Sequence, residues 1–262
     1  RPSSARAPAS VEPPASAPSR WTIAAASLIW IVSIGAPLAL FASALERWGS
    51  IPRVLSLDRD AWWSSLGVAS IAGGAAVLIA LASWQALVAG GRATRRVAIV
   101  SIGLLTLAGL APGVLIGSAI ARLGTLAPID LAGVAPSLAH LARFGFVAAL
   151  AGCWLAATEP AHARDIRAID GVSTPRRWLG AVGPWALAPL APVALVVALL
   201  AFHEIETAVL LTPPGRGNLA RKLLDQLHFQ RTEELSAACI VLGIASLALA
   251  TPILAWALRK RS

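Results

Sequence analysis

Charge is the first thing this sequence lacks. Only 13% of its 262 residues are charged, about half the share of an ordinary soluble domain. Hydrophobic residues make up 57% and the mean hydropathy is +0.72. That balance excludes a disordered chain and a fibrous repeat, and it argues against a soluble globular enzyme. Cysteine is scarce: Cys153 and Cys239 each lie inside an apolar run, where they read as small core residues and not as a disulfide or metal pair. Methionine is absent and the first residue is Arg, so the expectation is a fragment or processed product. Residues 1–20 are Pro, Ala and Ser with three arginines, Val11 and Glu12. Such a segment cannot bury a core, and it reads as a flexible linker and not as a signal peptide.

Long charge-free runs dominate the rest. A helix needs about 20 apolar residues to cross about 30 Å of hydrocarbon. Runs of that length fall at 22–45, 61–91 (core 64–88), 97–121, 178–202 and 235–258. A sixth run, 144–158, reaches spanning length if it starts near Ser137. That start places His140 and Arg143 in its first two turns, with Arg143 free to snorkel to the interface. The expectation is an all-α membrane protein with six transmembrane helices, residues 21–262 forming one domain.

Charge then orients the chain. The net charge is +9. In a soluble domain that would point to nucleic acid, but here the basic residues sit between the apolar runs, and no nucleic-acid partner is expected. With six spans both termini share a side. Thirteen Lys and Arg fall there against nine on the other, which makes the terminal side cytoplasmic by the positive-inside rule. Trp21, Trp48, Trp62, Trp63 and Trp256 fall at span ends, as an interfacial belt requires. Gly and Pro recur in or beside the spans, at Pro112–Gly113 and at Pro189 and Pro192 among others. They fit either close packing or helices that bend during transport.

The cytoplasmic segment 165–184, DIRAIDGVSTPRRWLGAVGP, reads as a short helix, a reversal at Gly171 and an incoming span with Trp178 and Pro184 in its opening turns. It resembles the EAA loop of ABC importer permeases. Asp165 takes the acidic position, Gly171 lies six residues later, Pro184 lies thirteen after that, and Trp178 takes the aromatic position between them. The chain departs from the pattern with Asp for Glu, with Ile166 and Arg167 for the two alanines, and with Gly183 for the Leu before Pro. Residues 203–215, HEIETAVLLTPPG, and 218–231, NLARKLLDQLHFQR, are similar to the stretch after the fifth span in iron(III)- and thiamine-type permeases. There an acidic residue leads an apolar run to P-P-G, followed by Thr-Leu and a short helix ending in Leu-His-aromatic. Glu204, Pro213, Pro214, Gly215, Leu219, Leu227, His228 and Phe229 occupy those positions, while Asn218 replaces the Thr and Gln230 stands where Gly is usual. The third span carries P-G at 112–113, where such permeases often have it.

The resemblance covers about residues 60–258 and implies a type I ABC importer permease (MetI-like) fold in the inner membrane. It also implies three partners: a cytoplasmic ABC ATPase dimer, an extracytoplasmic solute-binding protein and a second permease half. A Pro/Ala/Ser linker followed by six spans looks like the C-terminal half of a fused permease. The implied coupling loop spans 159–184, with its helix at 161–173 and Asp165, Gly171, Arg176, Arg177, Trp178 and Pro184 at the contact. Simple membrane anchoring also accounts for Arg176 and Arg177. The chain carries no phosphate-binding G-x-x-x-x-G-K-[ST] loop, so ATP hydrolysis is expected in a partner. His203, Glu204 and Glu206 lie at the outer end of the fifth span and are candidates for the substrate path, with a headgroup-level position as the alternative. Acids there favour iron(III) as first choice, with thiamine, a phosphonate or another small polar solute behind it. The charge-free cores of five spans argue against an ATP-independent secondary transporter. No catalytic or metal-ligating constellation is found, and no cofactor is expected.

Overall fold

The structure is a computed structural model that describes residues 20–88, 90–126, 131, 133–161, 163–165, 175–213 and 215–259, with backbone alone at 23, 175–184 and 253–259. The described residues are helical and contain no strand. We number the helices α1 (Arg20–Ser43), α2 (Ser50–Leu57), α3 (Arg59–Val88), α4 (Arg92–Leu110), α5 (Gly113–Leu126), α6 (Ala135–Thr158), α7 (Pro175–Phe202), α8 (Glu206–Leu211), α9 (Leu219–His228) and α10 (Thr232–Arg259). Among them α1, α3, α4, α6, α7 and α10 are long and apolar enough to cross a membrane. This is the architecture of an all-α, multi-pass membrane protein.

The third apolar run departs from its expected form. Residues 97–121 do not make one span. Proline at 112 has no N–H to donate, and Ala111 before it is extended, with φ −73° and ψ 144°, as a residue preceding proline prefers. The run therefore splits into α4 and the 14-residue α5, about 21 Å long and too short to cross. Arg92, Arg95 and Arg96, expected in a loop, form the first turns of α4 instead, so α4 starts early enough to span before the break.

Two other boundaries move. The fourth span starts at Ala135, two residues before the expected Ser137, with Pro136 in its first turn. The fifth span, α7, begins at Pro175, whose fixed φ suits the first helical turn. Proline at 184 therefore lies well inside α7 and does not open it. The first helix is interrupted by a π-turn at Ile31–Gly35, just ahead of Pro37. Proline in a helix displaces the carbonyl four residues back, and a wider turn relieves that conflict. Tryptophan 62 also leaves the expected interfacial belt: it is buried against Leu219 and Phe202, whereas Trp21, Trp48 and Trp63 are exposed.

The core lies where α3, α6 and α7 meet. Ala76, Ala80 and Trp84 of α3 pack with Ala148 and Leu155 of α6 and with Ala186, Leu190 and Val197 of α7. The α3 members recur at helical spacing and share one face. Small residues bring the backbones together: a Cβ on Gly152 would lie 2.5 Å from the Ala80 carbonyl oxygen, and one on Gly73 would lie 2.6 Å from that of Ala194. The outer faces carry Leu, Ile and Val, including Val97, Val100, Leu104 and Leu107 of α4, the surface expected against lipid.

Gly73 and its neighbour Gly74 give a paired test, because a Cβ on Gly74 meets nothing within 4 Å. Gly73→Ala should destabilise the protein by about 1–3 kcal/mol, as overpacking does. Gly74→Ala should stay within about 0.5 kcal/mol of the parent. Unfolding in mixed micelles with increasing SDS checks both.

Candidate functional site

The fifth span ends at Phe202 and the chain turns through His203, Glu204 and Ile205 into α8. Glu204 reaches forward three residues and accepts a hydrogen bond from the Thr207 N–H at 3.3 Å. It thereby satisfies one of the free donors in the first turn of α8. From α6, Arg143 donates through Nη1 to Glu204 Oε1 at 2.5 Å and to Glu206 Oε2 at 3.2 Å. One turn back on α6, His140 Nδ1 lies 3.3 Å from Thr207 Oγ1, and Ser137 Oγ donates to the Val68 carbonyl of α3 at 3.3 Å. Ser137, His140 and Arg143 stand three residues apart, so they form one polar stripe on α6.

Glu204, His140 and Thr207 are buried, Arg143 is partly buried and Glu206 is exposed. A buried carboxylate is tolerated when it is paired and hydrogen-bonded, and Glu204 has both partners. Glycine 113 completes the arrangement. A Cβ there would run into the Arg143 guanidinium and lie 2.6 Å from Glu206 Oε2 and 2.8 Å from Glu204 Oε1. Gly113 also starts α5, so the two carboxylates crowd a helix N-terminus, whose partial positive charge favours them. Two carboxylates face one guanidinium, and the surplus negative charge falls to the exposed Glu206.

Of the three residues expected along a substrate path, the structure joins Glu204 and Glu206 and separates His203. The His203 Nε2 lies 2.6 Å from Ser246 Oγ on α10, and its ring sits edge-on to Phe202. Arg143 was expected to be free to snorkel to the interface; its guanidinium pairs with the two acids, whose charge is within its reach. The sequence signal for this was an Arg and two acids assigned to one membrane face, but the pairing spans 61 and 63 residues.

The segment after α8 is held by backbone devices. Gly215 closes the P-P-G with φ +85°, in the left-handed region that glycine occupies without strain. Asn218 is the N-cap of α9: its Oδ1 accepts from the Arg221 N–H at 3.3 Å, and its Nδ2 donates to Thr212 Oγ1 at 2.7 Å. At the other end of α9, the Arg231 N–H bonds the Gln226 carbonyl and the Gln230 N–H bonds that of Leu227. This is a Schellman stop, and it holds Gln230 at φ +54°. The helix docks on the start of α3 through Leu219 N–H to Ser65 Oγ at 3.0 Å and Lys222 to Asp58 at 3.1 Å. His228 packs edge-on against the exposed Phe229.

At the opposite end of the helices, Asp165 is helical and exposed. Arg176, Arg177, Trp178 and Pro184 belong to α7 by backbone, with side chains outside the described residues. Gly171 and most of the expected coupling helix at 161–173 also lie outside them; residues 161 and 163–165 are helical. No cluster of three or more His, Cys, Asp or Glu placed to hold a metal occurs among the described residues. No protein-family model matches the chain, and no curated protein matches it.

Arg143→Met should cost about 2–3 kcal/mol, below the 3–5 of a fully buried pair because the guanidinium is partly exposed. Glu206→Gln should cost under about 1 kcal/mol. In a double-mutant cycle, Glu204→Gln should recover part of the Arg143→Met loss by removing the orphaned charge. Gln230→Gly should raise stability by about 0.5–1 kcal/mol, since glycine relieves the left-handed strain. Thermal unfolding in detergent checks the set.

Proposed function

We propose that the chain is the permease component of an ATP-driven ABC importer of the iron(III)/thiamine-type class, carrying a small solute across the inner membrane by alternating access. The observation that carries this reading is the geometry of residues 204–231 against Gly113. The acidic lead, the left-handed residue Gly215 and the helix ending in Leu-His-Phe follow in this order, and the P-G of the third apolar run lies against the two acids. Two apparent departures from the family pattern keep the local backbone state, the second at a cost in strain. Asn218 caps α9 as a Thr would, and Gln230 adopts the backbone conformation for which glycine is the usual residue.

The mechanism follows from connectivity. In this reading α7 is the lever: 28 residues, about 42 Å long, running from the coupling loop to Glu204. An ATPase dimer gripping the loop around Asp165 and Gly171 biases α7 between two positions. At the far end the Arg143 pair ties α7 and α8 to α6, so the lever's motion acts on a charged latch. Positive-inside counting places the loop in the cytoplasm with both termini. Because the two acids share one guanidinium, the exposed Glu206 carries the surplus negative charge that can meet a cation, and iron(III) delivered by an external binding protein remains the first choice of solute. Thiamine, a phosphonate or another small polar solute is second.

Purification of the full-length protein in mild detergent should recover an ATPase subunit, and Gly171→Pro should abolish solute-stimulated ATP hydrolysis while leaving membrane insertion intact. Recovery of no ATPase, with crosslinks from residues 165–184 also empty, overturns the proposal in favour of a secondary transporter.

A further inference from the structure

At the end of the helices remote from the Arg143 cluster, α3, α4, α6 and the residues just after α6 line an open cleft of about 640 Å³, within the range of small-ligand sites. Its polar wall comprises Arg95, Arg164 and Glu159, and its apolar wall includes Leu87, Ala156 and Cys153. Arg95 belongs to an unusual helix start. Arg92, Arg95 and Arg96 occupy the first turns of α4, which has no acidic residue in its first turn. Positive side chains at a helix N-terminus oppose the macrodipole and add to its positive field. None of the three is in an ion pair with a described residue. Arg164 adds a fourth guanidinium, held by one long bond of 3.5 Å to the Glu159 carbonyl. Against these stand the buried carboxylate of Glu159 and the exposed Asp165, so the described side chains leave a positive surplus at the cavity.

We propose that this cavity binds the phosphate of an anionic phospholipid headgroup, with Arg95 and Arg164 as its ligands and Arg92 and Arg96 strengthening the field. Guanidinium groups hold phosphate through charge-assisted, often paired hydrogen bonds. Lipid is the source that fits the walls. The face of α4 turned away from α6 exposes Val97, Val100, Leu104 and Leu107, an apolar surface that suits lipid beside the Arg95 wall, and the apolar wall offers a surface to the glycerol and upper acyl chain. Basic pockets between membrane helices are a recurrent form of headgroup site. The inference needs only that the chain sits in a bilayer, and it stands apart from the transport reading.

Cys153 lines the cavity and gives a local reporter once Cys239 is replaced by Ser. The full chain is placed in nanodiscs of phosphatidylcholine, with or without phosphatidylglycerol, and alkylation of Cys153 by a membrane-permeant maleimide is timed. Phosphatidylglycerol should slow alkylation about fivefold, and Arg95→Gln with Arg164→Gln should remove the protection. Arg95→Lys, which keeps the charge but loses the paired hydrogen bonds, should retain part of it, and an unchanged thermal midpoint of the Gln variant shows that its loss of protection is not misfolding. Inorganic phosphate in phosphatidylcholine discs should give no protection. Equal slowing by inorganic phosphate would make the ligand a free oxyanion and overturn the lipid assignment. The same rate in all discs, or protection that survives the Gln variant, overturns the site.

Discussion

The close approach of α3 to α6 and α7 is the constraint on which the rest depends. Lipid gives no hydrophobic drive for helices to associate, so packing must come from van der Waals contact at short range. Gly152 against the Ala80 carbonyl and Gly73 against that of Ala194 set the three backbones in place. With the two helices fixed against α3, the outer turns of α6 face the end of α7. That placement allows Arg143 to reach two acids more than sixty residues away. A bulkier contact at Gly152 would move the guanidinium and the acids apart.

The cluster also explains why the third apolar run breaks where it does. A partly buried charged pair needs all its polar valences met. Glu204 obtains an N–H from α8 and a guanidinium from α6. The helix start at Gly113 supplies a positive end and, lacking a side chain, the room for both carboxylates. A continuous helix through 97–121 has no free N-terminus at that point. Pro112 creates one, so the break has a local electrostatic use. Gly109 and Gly117 continue the fit: a Cβ at the first would meet Phe146 and the Arg143 carbonyl, and at the second Leu210 of α8.

Some of this was legible in the residues. Six apolar runs gave six crossing helices because spanning length and the absence of charge act locally. Boundaries were less legible wherever a proline lay in the run. Pro112 broke a helix that apolarity alone would continue, whereas Pro184 did not begin one, because Pro175 had already taken the first turn. Arg143 was visible only as a cost in a span. Its partners depend on the packing of α3 with α6, which no spacing rule encodes. Glu204 and Glu206 were recognisable as a pair, but His203 beside them faces another helix, since adjacent side chains at a helix end point in different directions.

The residues after α8 are held by backbone conformation more than by side-chain identity. What the chain needs after α8 is a set of backbone states: a left-handed turn at 215, a capped start at 218 and a left-handed stop at 230. An N-cap accepts Asn or Thr with little difference. A left-handed stop prefers glycine, yet a glutamine is held there by two backbone hydrogen bonds of the Schellman turn at a cost of about 1–2 kcal/mol. The ties of α9 to Ser65 and Asp58 contribute to offsetting that cost. Residues can therefore change at each of these positions without moving the helix. The proposed family reading rests on matched residues at matched spacing, and these three backbone states are what that spacing has to accommodate in this chain.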